Sequence, residues 1–340
     1  EFRRVLFRSF PGVDNDKDKT LSAMLRMAVI AQTQERYEKA PVETDEQRAE
    51  KAALEGLVKQ LFVELKRDFK PSDLPPYTLV KLGMHLAGTS QPEESIAYFD
   101  EILDPSEPDP VRKKARINGM SKYRKNAVFG KAVALGRSKD NAKVDTAIKM
   151  MRDELSKEES SSNPDRKAME DAQYNLVKFT FARQDWPAVI AAADKYRENK
   201  TYKKNLPEVL YLQGEVYLKQ NELDKALINF MNITGTYKGL VKWSAPAVLA
   251  QMDTLWKRNT MSQGAGKQPS DRYVAWKAGS QYVQLLDTPA NRKKMTAEDS
   301  ALVNEVKDKT AKFGSDPAVS QERADIAAYE AAVRAAKGQK

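Results

Sequence analysis

The segment from Pro207 to Ile233 constrains the fold more than any other part of the chain. It places small and large apolar residues at a fixed spacing: Leu210, Gly214, Tyr217, Ala226, Phe230 and Ile233. The small residues Gly214 and Ala226 allow two antiparallel helices to cross closely, and the larger residues fill the space around the crossing. A helix hairpin of this kind buries its apolar face only when neighbouring hairpins stack on it, so one copy predicts others.

The segment from Leu79 to Leu103 repeats this pattern 131 residues earlier in the chain. The residues that match the six positions of the later copy are, in order, Leu79, Gly83, Leu86, Ser95, Phe99 and Ile102. Internal repetition of a helical pattern is typical of proteins built from stacked helix hairpins. The second copy therefore predicts a second hairpin of the same type.

The spacing of the later copy, L-G-x2-Y followed by A-x3-F, resembles the tetratricopeptide (TPR) repeat. Gln213 departs from that repeat, because it stands where Leu is usual. The resemblance implies an all-α fold, a right-handed α-solenoid of antiparallel helix hairpins with no sheet. On this interpretation the TPR-like solenoid covers residues 10–290 and capping helices cover residues 291–340.

Helical periodicity extends along almost all of the remaining chain. Thr44 is expected to cap a helix that ends near Phe69, with Gln47 in the capping-box position. Residues 111–136 and 141–157 are expected to form helices, each with an apolar side. Asp316 and Pro317 are expected to begin the last helix, because Pro is favoured in the first turn.

The first nine residues, EFRRVLFRS, resemble a translated sequencing adapter. We expect them to be an artefactual or disordered lead, and we expect the natural N-terminus to be missing because the chain does not begin with Met. The compartment therefore stays unknown. The absence of cysteine favours a bacterial envelope or periplasm slightly over the cytoplasm.

The residue inventory excludes several kinds of chemistry. The chain has no cysteine and one histidine, His85, so disulfides, thiolate metal sites and histidine triads are impossible. The loop 262–270 contains Gly-Lys, but it lacks the first glycine and the hydroxyl residue of a phosphate-binding loop. We expect no catalytic residues, no metal and no cofactor. No apolar run approaches the roughly 20 residues that would span a bilayer.

The net charge of +9 is concentrated in one stretch, which has ten Lys or Arg residues between Arg112 and Lys139 and no acidic residue. The candidate basic patch consists of Arg112, Lys113, Arg116, Arg124 and Lys131. Three interpretations stay open: a solvated surface, a site for an acidic protein, and a site for nucleic acid or lipid headgroups. Nucleic acid is the less favoured partner, because few aromatic residues accompany the cations.

The resemblance to TPR proteins implies a concave groove, lined by the first helix of each hairpin, that receives a peptide or helix of a protein partner. The residues expected to face this groove are Tyr174, Lys178, Phe181, Tyr211, Glu215 and Lys219, joined by Tyr77, Val80 and Met84 of the earlier copy. The predicted function is a non-enzymatic protein–protein interaction scaffold. The alternative is a peripheral binder of an anionic surface through residues 112–139.

Overall fold

The computed structural model describes residues 19–41, 44–89, 92–264 and 266–338, with side chains up to residue 336. Throughout these residues the secondary structure is helical, without a strand, as the sequence predicts. The expected lead segment 1–9 lies outside the described residues. The helices divide between two compact units, Glu1–Gln184 and Asp185–Lys340. The predicted boundary between solenoid and cap at residue 290 stays a prediction.

The first unit contains eight of the described helices. They are α1 (Lys19–Lys39), α2 (Asp45–Asp68), α3 (Pro76–Ala87), α4 (Ile96–Leu103), α5 (Pro110–Gly119), α6 (Arg124–Gly136), α7 (Asn141–Glu159) and α8 (Arg166–Ala182). Short 3-10 turns at Pro71–Asp73, Pro92–Ser95 and Ser121–Tyr123 lie between them. Most helices pack on the next helix in the chain, and α6 also packs on α3, α4 and α8. This arrangement brings α3, α6 and α8 side by side.

The second unit contains the other eight described helices. They are α9 (Trp186–Glu198), α10 (Leu206–Lys219), α11 (Leu223–Thr236), α12 (Val241–Arg258), α13 (Asp271–Leu286), α14 (Pro289–Arg292), α15 (Ala297–Gly314) and α16 (Pro317–Gly338). Helices again pack in sequence order from α9 to α13, and α15 packs on both α12 and α13. No helix of the described residues is both long and apolar enough to cross a membrane.

Local signals set the helix boundaries. Thr44 caps α2, and its hydroxyl accepts a hydrogen bond from the Gln47 backbone while the Gln47 side chain accepts one from the Thr44 backbone. This reciprocal capping box was predicted from the sequence. At the start of α16, the Asp316 carboxylate accepts hydrogen bonds from the backbone N–H groups of Ala318 and Val319, so the predicted cap is also confirmed.

The region 111–136 differs from the single helical segment expected from periodicity. It forms two helices, α5 and α6, with a 3-10 turn between them. Met120 immediately precedes this turn and Tyr123 is its last residue, and both pack on the apolar core of the first unit. Burial of Met120 in that core fixes the break, because a continuous helix would carry residues 117–123 in a different direction.

The two copies of the sequence repeat make the same glycine–phenylalanine contact. A Cβ atom on Gly83 would lie 2.8 Å from the Phe99 ring, and one on Gly214 would lie 2.7 Å from the Phe230 ring. Only glycine leaves room for a ring at this distance. The rings of Phe99 and Phe230 are completely buried, so the predicted close packing at these glycines is confirmed in both units.

Gln213, the departure from the usual repeat, is completely buried. Its amide nitrogen donates to Asp194 Oδ1 at 2.8 Å, and its carbonyl oxygen accepts from Arg197 Nη1 at 2.9 Å. Both partners lie on α9. A polar residue is tolerated here because the neighbouring helix supplies both a donor and an acceptor.

Candidate functional site

A groove of about 550 Å³ lies in the first unit between α3, α6 and α8. Its floor is apolar and includes Met84, Phe129 and Val133, together with small residues at Gly130 and Ala168. Met84 is 44% exposed, so its apolar side chain is open to solvent. The floor can therefore receive an apolar group from another molecule.

One end of the groove is held by a three-residue charge network. Lys125 Nζ lies 2.7 Å from Glu158 Oε1 and 3.1 Å from Asp165 Oδ2. The Asp165 backbone N–H also donates to Glu158 at 2.7 Å. The hydrogen bond from Lys125 lowers the pKa of Glu158. This network ties the start of α6 to the start of α8, so it fixes the width of the groove.

The other end of the groove is held by Arg137. Its Nη1 atom donates to the carbonyl oxygen of Ala87 at 2.7 Å, which joins the end of α6 to the last turn of α3. A cation at a helix C-terminus interacts favourably with the helix dipole. The guanidinium of Arg137 is exposed and forms no ion pair with a carboxylate among the described residues. Its other donors can therefore reach a ligand.

The edges of the groove are polar. Asn126 of α6 and Lys167, Asp171 and Asn175 of α8 stand around the apolar floor. The Asn175 side chain donates to the Asp171 backbone carbonyl at 2.9 Å, which fixes its amide on the groove side of the helix. Amide groups at an open apolar groove can bond to the backbone of an extended or helical segment.

The candidate basic patch is largely engaged inside the protein. Lys113 lies 2.6 Å from Asp104, Arg116 lies 3.0 Å from the buried Glu101, and Lys131 lies 2.6 Å from Asp100. Arg112 and Arg124 are exposed and form no ion pair with any described residue. The patch is thus divided between cations that hold α4, α5 and α6 together and cations that face solvent.

The predicted groove residues of the first unit lie on α8 beside the groove. Asp171 and Asn175 line it, whereas Tyr174 and Lys178 occupy the adjacent strip of the same helix, where the Lys178 ammonium lies 5.1 Å from the Tyr174 ring centre. Phe181 is half-buried at the end of α8. From the earlier copy, Met84 lines the groove, Tyr77 is exposed and Val80 is buried in the core, so the expectation for Val80 is wrong.

The predicted residues of the second unit lie on α10. Tyr211 is half-buried beside Phe230, with the ring centres 5.8 Å apart. Burial, reinforced by the carboxylates of Glu215 and Glu305, raises the pKa of Tyr211 to about 12. Burial also raises the pKa of Glu215, and nearby Asp253 adds to the effect while Lys219 opposes it. Lys219 is exposed, with its ammonium 5.8 Å from the Trp186 ring centre.

Several groove residues escape sequence reasoning. Asn126, Phe129, Val133 and Asp171 carry no motif that marks them as a site. A partial signal is present in α6, where positions 126, 129, 133 and 137 recur at helical spacing and mix polar with apolar residues. That pattern predicts one helix face with an apolar centre and polar ends, but it does not say which helices lie beside it.

The described residues contain no group of three or more His, Cys, Asp or Glu side chains suited to a metal ion. His85 is half-buried and stacks on Phe62, with ring centres 4.0 Å apart and planes 15° from parallel. Burial, with a smaller effect from Lys59, lowers its pKa. These contacts place His85 in the packing between α2 and α3.

No protein family, curated protein or solved structure matches this chain. The resemblance to the TPR repeat therefore depends on the spacing of the chain's own residues and on the contacts that those residues make.

Proposed function

We propose that this protein is a non-enzymatic interaction scaffold that binds a peptide or helix of a protein partner. In this proposal its helix hairpins are TPR-like and form a right-handed solenoid, and the groove between α3, α6 and α8 is part of the binding surface. The observation that carries the proposal is this groove, which combines an apolar floor, with Met84 exposed and Phe129 partly exposed, and polar edges. Apolar grooves with a few polar groups are typical of binding sites.

The repeated glycine–phenylalanine contact supports the TPR-like part of the proposal. Gly83 with Phe99 and Gly214 with Phe230 stand at equivalent positions of the sequence repeat and have almost equal spacing. Proteins built from such repeats expose a continuous binding surface along their stacked helices. The helix order within each unit agrees with this kind of architecture.

The internal pairing of the basic patch argues against the alternative function. Lys113, Arg116 and Lys131 hold neighbouring helices through carboxylates of the same chain. A phosphate or lipid headgroup would have to displace those carboxylates to reach these three cations, which leaves only Arg112 and Arg124 of the patch directly open to it. A peripheral anionic-surface binder is therefore a less suitable description than a groove-binding scaffold.

Site-specific photo-crosslinking tests the proposed function. Benzoylphenylalanine at position 84 places the crosslinker on the groove floor, and the same residue at position 111 places it at Val111, which is 78% exposed and next to the basic patch. We expect one or a few proteins of the source cells to crosslink at position 84. Replacement of Phe129 by Lys in the position-84 protein should abolish that product, while crosslinking at position 111 should give no matching product. A product at position 111 alone would contradict the groove.

A further inference from the structure

We infer that the groove of the first unit selects an acidic partner segment, one that places an apolar side chain on the floor and carboxylates toward Arg137 and Lys167. This inference rests on the proposed function and adds the chemistry of the partner to it. It depends on which charged groups at the groove already form ion pairs within the described residues: two carboxylates do, and two exposed cations do not.

Two carboxylates at one end of the groove are already engaged. Glu158 and Asp165 share the ammonium of Lys125, and Asp165 also accepts a hydrogen bond from the Ala168 backbone N–H at 3.1 Å. Asp171, on the neighbouring turn of α8, also lines the groove. A basic ligand would therefore have to compete with Lys125 for Glu158 and Asp165.

The exposed cations are not engaged in this way. Lys167 and Arg137 both line the groove, both are exposed, and neither forms an ion pair within the described residues. Arg137 bonds only to a backbone carbonyl there. An arginine with unused N–H donors is suited to a carboxylate, which can accept two parallel hydrogen bonds. Opposite charge in the ligand would complement these two side chains.

The two exposed cations lie at opposite ends of the groove, with its apolar floor between them. Lys167 lies in the first turn of α8, beside the Lys125 network at one end of the groove, and Arg137 closes the other end. Met84, Phe129 and Val133 lie on the floor of the same groove. A segment with an apolar centre and acidic flanks would therefore match the groove along its length.

This arrangement divides the basic stretch 112–139 into cations that stabilise the unit and a cation that faces the groove. Its members Lys113, Arg116 and Lys131 stabilise the unit, whereas Arg137 faces the groove. A general anionic surface would use all exposed cations of the stretch alike. A groove-specific interaction would depend on Arg137 and Lys167 and not on Arg112 or Lys114, which lie on α5.

Fluorescence anisotropy with three matched peptides tests the inference. Each short fluorescein-labelled peptide has the same apolar centre of Leu and Phe, flanked on both sides by pairs of Glu, pairs of Gln or pairs of Lys. We expect the full chain at physiological salt to bind the Glu peptide about tenfold more tightly than the Gln peptide, since two charge pairs contribute several-fold each. The Lys peptide should bind most weakly.

Two double variants of equal charge locate the effect. In the Arg137→Gln/Lys167→Gln variant the preference for Glu over Gln should disappear, and in the Arg112→Gln/Lys114→Gln control it should stay within about twofold of the native preference. Equal binding of the peptides, no binding of any peptide, or equal loss in both variants would each overturn the inference. If a protein crosslinks at position 84 but the Glu peptide binds no more tightly than the Gln peptide, only this inference is overturned. A Glu preference without any crosslinked protein would instead remove the scaffold proposal.

Discussion

Gly130 lies directly beneath the ring of Phe99, so close that a Cβ atom on it would stand 2.2 Å from the ring. Phe99 is completely buried and also touches Gly83, so one ring occupies the space that two glycines leave on α3 and α6. This contact sets the distance between two of the helices that form the groove. It links the packing of the core to the geometry of the candidate site.

Gly130→Ala should destabilise the first unit by about 1–3 kcal/mol, the usual effect of forcing an extra group into a packed core. Gly56→Ala is the matched control, because Gly56 lies inside α2 with no atom within 4 Å of the added Cβ. That control should stabilise the helix by roughly 0.8–1 kcal/mol. Urea unfolding followed by helical circular dichroism measures both changes. A Gly130→Ala protein that gains as much stability as the Gly56→Ala control would show that α3 and α6 can separate without cost.

Gln213 provides a test of how the repeat accommodates a buried polar residue. Gln213→Leu introduces the residue that is usual in the TPR repeat, but it removes one hydrogen-bond partner each from Asp194 and Arg197 on α9. We expect a loss of about 1 kcal/mol in the free energy of unfolding, because each lost hydrogen bond outweighs the gain in apolar volume. Gln220→Leu, at an exposed position just after α10, should change stability by less than about 0.5 kcal/mol. Greater stability of the Gln213→Leu protein would mean that packing of Leu outweighs both hydrogen bonds.

The sole histidine predicts a pH dependence with a defined sign. Burial lowers the pKa of His85, so the folded protein binds a proton less readily than the unfolded chain. The contribution of neutral His85 is fully present above the unfolded pKa, near 6.5, and is lost as the pH falls through the lower folded value. The unfolding free energy should therefore decrease as the pH is lowered from about 7.5 to about 5.

His85→Phe keeps the aromatic contact with Phe62 and removes the titrating group, so this variant should lose the dependence in that pH window. The ring protons of the only histidine give its folded pKa directly by nuclear magnetic resonance. A folded value at or above 6.5, or an equal pH slope in the His85→Phe protein, would contradict the assignment.

The all-helical class and several local features could be predicted from the sequence, because their determinants are local or repeated. The cap at Thr44 depends on residues only three positions apart, and the contacts of Gly83 and Gly214 follow from a spacing that occurs twice. The helix break near Met120 could not be predicted from the sequence, since it depends on burial of Met120 and Tyr123 against other helices. Periodicity within one segment contains no information about such contacts.

The candidate site could be predicted only partly from the sequence, for the same reason. Helical spacing places Tyr174 and Lys178 on one strip of α8, but only the neighbouring helices decide that the strip with Asp171 and Asn175 lines the groove. Val80 illustrates the same limit. An apolar residue at this position suits either a groove or the core, and the structure buries it in the core. Likewise, the ten cations of residues 112–139 look alike in sequence. Only the structure shows that four of them pair with carboxylates at positions 100, 101, 104 and 158.

Two pairs of substitutions test whether the sequence-predicted residues contribute to partner binding. Tyr174→Ala/Lys178→Glu changes the strip beside the groove of the first unit, and Tyr211→Ala/Glu215→Lys changes the α10 face of the second. Aromatic residues at an interface often account for a large part of the binding energy, so each pair should weaken binding of the partner captured at position 84 by about tenfold or more. Binding is measured by titration of the purified partner. Loss in the Tyr174 pair alone would confine the binding surface to the first unit, and unchanged binding in both variants would confine it to residues that line the α3–α6–α8 groove.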